Sequence, residues 1–212
     1  SKFTHCQGVL LNSSVYVEFS WISVDDMLVD QKEIAWNNTE RRIRTQLVGS
    51  HNFENALAAV CVGDYFEVEE SDIKDALENY TPQNNRSQYH KTASNELIID
   101  CYNANPSSMK LTITNFKNLV GKRKVLILGE MLELGKFAQR EHDVLAQMIE
   151  NMGFEEVYFV GKSFEDVNFK QAKIFPNLDE IVDYLKANPI RDSVVLIKGS
   201  RGVKLENVIP LL

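Results

Sequence analysis

A chain of 212 residues that is 44% hydrophobic holds one large domain or one and a half ordinary ones, and is too apolar for disorder. Its formal net charge of −7, with no basic cluster, argues against a nucleic-acid surface. No apolar run is long enough to span a bilayer, and the N-terminus has no signal-peptide pattern.

Cys6, Cys61 and Cys101 are odd in number and lack metal-type spacing, so free thiols in a reducing, cytoplasmic setting are expected. The four histidines, His5, His51, His90 and His142, share no short ligand spacing, so no metal site is expected.

Residues 1–48 read as β-rich. Candidate strands at 8–11 and 15–21 flank the turn Asn12-Ser13-Ser14, and Val15, Val17, Phe19 and Trp21 alternate with polar neighbours as in a half-buried strand. Residues 25–38 are charged and weakly patterned, and 42–48 alternate again. Gly49-Ser50-His51-Asn52 opens a helix whose buried side is expected to be Phe53, Ala56, Leu57, Ala59, Val60 and Val62. A second helix at 70–80 carries Ile73, Ala76 and Leu77 at helical spacing, with Ser71 near its N-cap. The polar stretch 81–87, with Pro82, reads as a linker and sets a domain boundary between residues 82 and 83.

Beyond it strand and helix alternate. Strands are predicted at 97–100, 124–128, 157–160, 172–175 and 194–197, and helices at 107–119, 137–152, 178–187 and 203–211. The strands are continuously apolar. An α/β domain follows, a mainly parallel, Rossmann-like sheet with helices on both faces. A smaller β-rich and helical part precedes it.

Five stretches carry candidate chemistry. Asp100-Cys101-Tyr102-Asn103-Ala104-Asn105-Pro106-Ser107-Ser108-Met109 closes a strand and opens a helix, with Asn105 placed as N-cap and Pro106 in the first turn. Ligands of open α/β folds bind outside such strand ends. Asp100, Tyr102, Asn103, Asn105 and Ser107 offer hydrogen bonds there, although a well-capped turn with a solvated Asp has the same pattern. Asn52 and Asn55 fall on one helix face, and a carboxamide matches the edge of adenine; the plain alternative is a cap and a polar first turn. Leu128-Gly129-Glu130-Met131-Leu132-Glu133-Leu134-Gly135 brackets an acidic, apolar loop that either faces a substrate or buries Met131 and Leu134 for packing. Lys198-Gly199-Ser200-Arg201-Gly202 is an anion candidate or a Gly-rich turn with solvated bases. Gly161-Lys162-Ser163 is not a phosphate loop, because Glu156 stands where that pattern needs glycine.

Together these stretches resemble the Mur ligases, the ATP-dependent amide ligases of peptidoglycan synthesis, and within them the D-alanyl-D-alanine-adding branch. Gly49 to Ala59 fits that branch's Gly-x-His-Asn-x-x-Asn-Ala-x-Ala-Ala, Asp100 to Met109 its Asp-x-Tyr-Asn-Ala-Asn-Pro-x-Ser-Met, and Leu128 to Gly135 its Leu-Gly-x-Met-x-Glu-Leu-Gly. Arg86 sits where that branch has an arginine after the linker.

The resemblance implies that residues 1–82 are the C-terminal part of a central ATP-binding domain and residues 83–212 the Mur ligase C-terminal domain. It implies ATP as cofactor, with Asn52 and Asn55 at the adenine, Arg86 at the ribose or a phosphate, and Asp100 at the ribose hydroxyls. Tyr102, Asn103 and Asn105 would order the same wall. Glu130, Met131 and Glu133 would face the incoming dipeptide, with Lys198 and Arg201 near an anionic group. The substrates implied are UDP-N-acetylmuramoyl-tripeptide and D-Ala-D-Ala, and the parent enzyme is expected to be monomeric. The family's Gly-Thr-x-Gly-Lys-Thr loop, its Mg²⁺ ligands and its modified lysine have no counterpart here. The chain is therefore expected to be a fragment without catalytic residues of its own. Another ligase of the superfamily, such as a muramyl tripeptide or folylpolyglutamate synthetase, and a non-catalytic nucleotide-binding module are the competing readings.

Overall fold

The computed structural model describes residues 7–9, 16–21, 32–36, 43–45, 50–82, 85–120 and 123–212. The chain divides into two compact units, Ser1–Pro82 and Gln83–Leu212.

In the first unit, strands β1 (Gln7–Val9), β2 (Tyr16–Trp21), β3 (Lys32–Trp36) and β4 (Ile43–Arg44) form an antiparallel sheet in that order. Strand β3 lies inside the stretch whose charge hid any pattern. The turn at 12–14 and the alternation of side chains along 15–21 fall outside the described residues, as do Cys6 and His5. Helices α1 (Ser50–Tyr65) and α2 (Glu70–Asn79) follow. The buried stripe of α1 is narrower than expected: Ala56 and Val60 are buried, whereas Ala59 and Val62 are exposed. Ala56 and Val60 are four apart and lie on the same face of a helix. Ile73 and Leu77 of α2 supply the facing apolar surface. Glu69, not Ser71, precedes α2, and no side chain caps it.

The second unit is built on a six-stranded sheet. Its strands are β5 (Gln88–Lys91), β6 (Asn95–Asp100), β7 (Arg123–Gly129), β8 (Glu156–Val160), β9 (Ala172–Phe175) and β10 (Ser193–Lys198). They lie in the order β5-β6-β10-β7-β8-β9, with every pair parallel except β5 with β6. β5 was not expected; it is a polar edge strand, and its Gln88, Tyr89, His90 and Lys91 carry no apolar run. The inner strands are buried on both faces, which is why they read as unbroken apolar runs.

Helices α3 (Pro106–Asn118) and α4 (Ala138–Met152) pack together on one face. On the other, α5 (Leu178–Ala187) and the C-terminal segment join Leu97, Ile99, Val125, Ile127, Val195 and Ile197 in one core. The expected helix at 203–211 is instead 3-10, over Leu205–Leu211. Lys204 is left-handed, with φ of 58°, and Pro210 lies inside the segment, where its missing N–H weakens a longer α-helical ladder.

This order creates a crevice. β6 runs on into α3 on one face, while its neighbour β10 runs on into the C-terminal segment on the other. Connections that leave adjacent parallel strands on opposite sides open a gap at their carboxyl ends. Asp100 and Lys198 are the last residues of those two strands and pair in register.

Candidate functional site

Two glycines let the strand ends approach. A Cβ on Gly199 would lie 2.9 Å from the Gly129 Cα and 3.0 Å from Leu205, closer than packed carbon atoms tolerate. β7 and β10 therefore finish back to back, and their loops emerge side by side.

Asp100 is held from both sides. Its Oδ2 accepts a 2.5 Å bond from the Lys198 ammonium, and its Oδ1 a 3.4 Å bond from the Ser87 N–H. Lys198 also donates to the Asn103 carbonyl at 3.2 Å. The Lys198 side chain is 1% exposed and the Asp100 side chain 14%. This corrects two expectations. Lys198 is not a solvated base awaiting an anion; its charge is already matched. Asp100 is not a solvated carboxylate on a capped turn; it is braced by that lysine and by the Ser87 N–H.

Tyr102 and Asn103 are exposed on the turn. The Arg86 guanidinium lies 3.6 Å from the centre of the Tyr102 ring, and that of Arg201 5.5 Å from it. Two cations on one aromatic ring raise the local positive potential while staying accessible. Among the described residues, neither guanidinium has a carboxylate within ion-pair distance. Asn105 is committed elsewhere: its side chain accepts from the Ser108 N–H at 2.9 Å, and Ser108 Oγ accepts from the Asn105 N–H at 3.1 Å. That reciprocal cap fixes the start of α3 and takes the Asn105 carboxamide oxygen out of the site wall.

The loop after β7 also differs from expectation. Met131 is buried, and its N–H donates to His142 Nε2 at 2.9 Å. Glu130 turns its carboxylate away to accept from Ser163 N–H at 3.1 Å and Ser163 Oγ at 2.6 Å. It lies over Gly161, where a Cβ would come within 2.6 Å of it and where φ is +130°. Glu130 and Met131 thus anchor the loop, and the exposed members are Leu132 and Glu133. Leu132 donates its N–H to Ser200 Oγ at 2.9 Å, and its Cδ1 packs where a Cβ of Gly202 would be. Glu133 and Arg201 therefore flank one contact.

In the first unit, Asn55 Nδ2 donates to Asn52 Oδ1 at 3.1 Å, so the two carboxamides do share a face. The side chain of His51 lies outside the described residues. Cys101 is buried, donates its S–H to the Ile197 carbonyl at 3.4 Å, and is pushed up to about 12 by burial, with Glu206 and Asp100 adding. Sequence reasoning missed Ser87, Ser163, Ser200 and His142 as members of this assembly. Ser163 and Ser200 stood in stretches singled out for other reasons, and His142 left a signal of its own, spaced with Leu145, Ala146 and Ile149 on the buried stripe of α4.

A sheet ordered in this way, with loops from β6, β7 and β10 around one crevice, defines an α/β domain of the Rossmann-like kind with its ligand crevice at the strand ends. Residues 85–201 match the family described as Mur ligase, glutamate ligase domain, and the chain belongs to that family. The UDP-N-acetylmuramoyl-tripeptide–D-alanyl-D-alanine ligase of Bacillus subtilis is 31% identical over 173 residues, 77% of this chain and 38% of that enzyme. MurF from Acinetobacter baumannii shares the fold, with a TM-score of 0.75 and 23% identity over 93% of this chain and 44% of that one. MurF from Thermotoga maritima in complex with ADP has a TM-score of 0.66 at 18% identity, over 98% of this chain and 45% of that one. The chain spans less than half the length of these relatives. No helix among the described residues is long and apolar enough to cross a membrane.

Proposed function

We propose that this chain is the C-terminal part of an ATP-dependent amide ligase that joins D-Ala-D-Ala to UDP-N-acetylmuramoyl-tripeptide in peptidoglycan synthesis. Residues 1–82 are then the end of the central ATP-binding domain and residues 83–212 the C-terminal domain. The observation that carries the reading is the crevice mouth, where Tyr102 presents one exposed ring with Arg86 and Arg201 against it. An aromatic plane with two accessible guanidiniums suits a nucleotide, which offers a flat base and a chain of anionic oxygens.

In that ligation a carboxylate becomes an acyl phosphate, and an amine then displaces phosphate to form the amide. The residues of this chain bind and orient. Asn52 and Asn55 present a donor and an acceptor to the adenine edge. Arg86 meets the ribose or a phosphate. Asp100, kept in place by Lys198, offers its remaining lone pairs to the ribose hydroxyls, with Tyr102 and Asn103 completing the wall. Glu133 and Arg201, exposed beside the crevice, would meet the ammonium and carboxylate of the dipeptide. Among the described residues, no group of three or more His, Cys, Asp or Glu side chains could hold a metal ion.

The test uses the full-length product that carries this chain. Phosphate release from ATP should require both the UDP-linked tripeptide and D-Ala-D-Ala, and amide should form in step with it. Equal release with glutamate in place of the dipeptide would favour a folylpolyglutamate-type ligase and overturn the assignment.

A further inference from the structure

The loop after β7 is held unusually closely for an exposed turn. The Glu130 N–H donates to the Val160 carbonyl at 2.9 Å, and the Glu130 carbonyl accepts from the Ser200 N–H at 3.3 Å. With the bonds of Met131 and Leu132, three consecutive backbone N–H groups are taken up by β8, α4 and the turn after β10. The next residue, Glu133, has φ of 67°, a left-handed conformation that a side chain adopts at some cost and only when its surroundings hold it.

Three of the four partners of the loop backbone are groups whose hydrogen-bonding role does not change near neutral pH: a backbone carbonyl, a backbone N–H and a serine hydroxyl. The fourth is an imidazole. His142 is fully buried, with its ring edge-on to Phe164 at 4.6 Å between centres. Its Nδ1 lies 2.7 Å from the Ala138 carbonyl and its Nε2 2.9 Å from the Met131 nitrogen. A carbonyl can only accept, so Nδ1 carries the proton. A backbone N–H can only donate, so Nε2 is bare. The arrangement therefore admits one form of the ring, neutral and protonated on Nδ1. A doubly protonated ring has no acceptor for Met131.

The charged groups on the elements around the ring leave that acceptor unrivalled. On the loop, Glu130 is bonded to Ser163 and Glu133 is exposed. On the turn that carries Phe164, Lys162 and Glu165 are exposed. On α4, Glu141 is half-buried and Asp143 accepts from Gln139. On α3, Lys110 is exposed and the Lys117 ammonium lies over Phe154. Among the described residues, the polar bonds of the ring are those to Ala138 and Met131.

We propose that His142 is a positioning residue: its neutral, Nδ1-protonated ring fixes loop 130–135 beside the crevice, and the loop is released when the ring takes up a second proton. The proposal does not depend on which substrates the crevice takes. It makes the placement of Leu132 and Glu133 a function of the charge on a buried group one helix away.

The 212-residue chain itself can test it by amide hydrogen exchange and ¹⁵N imidazole spectra. The ring should show the Nδ1-protonated tautomer at neutral pH. In spectra where the ring is doubly protonated, protection at the Met131 amide should be lost while the Ile127 and Leu196 amides keep theirs. His142→Gln keeps an acceptor on a flexible arm and should retain much of the Met131 protection. His142→Phe keeps an aromatic ring against Phe164 and should lose that protection. An Nε2-protonated ring would overturn the proposal even if neither variant folds. So would Met131 protection that ignores the charge of the ring, or that survives His142→Phe while failing in His142→Gln.

Discussion

The ammonium of Lys198 and the carboxylate of Asp100 meet at 2.5 Å across the ends of two parallel strands, although 98 residues separate them in the chain. The pair is asymmetric, since Lys198 is buried and Asp100 keeps a wet edge. Removing the carboxylate strands a charge in the core, whereas removing the amine leaves one that water can reach. Asp100→Asn should therefore destabilise the chain by about 3–5 kcal/mol, and Lys198→Met by only about 1–3 kcal/mol. Denaturant unfolding of both variants checks the order; equal losses would show that burial does not govern the pair.

The meeting of Gly129 with Gly199 predicts a second loss. Gly199→Ala should lower stability by roughly 1–3 kcal/mol through overpacking, because backbone rather than a yielding side chain is the nearest obstacle. A thermal melt unchanged from the parent would mean that the strand ends separate freely.

Much of this was legible from residue patterns, and the exceptions have physical causes. The inner strands announce themselves because burial on both faces leaves no room for polar residues, as in Leu97, Ile98 and Ile99. Edge strand β5 stays hidden because one side of it needs no burial. The cap at Asn105 was readable from local spacing, since its partner Ser108 is three residues away. The partner of Lys198 was not, because strand order is a non-local property. A lysine ending an apolar run looks solvated until β10 is known to lie beside β6. Glu130 and Met131 were misplaced on the substrate side for the same reason: their partners, Ser163 and His142, come from other elements.

Cys101 gives a pH-dependent expectation with a definite sign. Its thiol is raised from the usual 9.0 to about 12 by burial, so the folded state disfavours the thiolate that the unfolded chain forms. Stability is fully present below pH 9 and falls as pH rises toward 12, by at most about 1.4 kcal/mol per unit from this group. Cys101→Ala should flatten that part of the profile. The native thiol should also resist alkylation at neutral pH, with half-buried Cys61 reacting before it; rapid labelling of Cys101 would contradict its burial.

Asn55→Ala separates binding from folding. Asn55 is exposed and bonds to Asn52, so the unfolding midpoint should hardly move. If the proposed adenine contact of Asn55 holds, the KM for ATP of the full-length product should rise by the equivalent of about 1–3 kcal/mol, the worth of a two-point contact. An unchanged KM would return the pair to a helix-surface role.

Asn95 ties the start of β6 to the end of the chain. Its Nδ2 donates to the carbonyls of Ile190 at 2.8 Å and Leu212 at 2.5 Å, and its Oδ1 accepts from the Ser193 N–H at 3.2 Å. Asn95→Leu keeps the volume, removes the carboxamide partner of the Ile190 carbonyl and the Ser193 N–H, and leaves the Leu212 carbonyl with its bond from Thr92 Oγ1. A loss of roughly 2–4 kcal/mol is expected in denaturant unfolding; a neutral result would mean that water replaces the carboxamide.

The position of β10 bears on how this domain is made. It is the last strand in chain order, yet it fills the slot between β6 and β7 and pairs with both along its whole length. A nascent chain still attached to the ribosome before Ser193 can pair β7 with β8 and β5 with β6, but not the two halves with each other. Each half then shows an open, apolar strand edge, the kind of surface that chaperones bind and that drives aggregation. Closure must wait for contacts of long sequence separation, which are slow to form. The interval between synthesis of β7 and of β10 thus bears on yield, and loss of β10 removes the keystone of the sheet rather than trimming its rim.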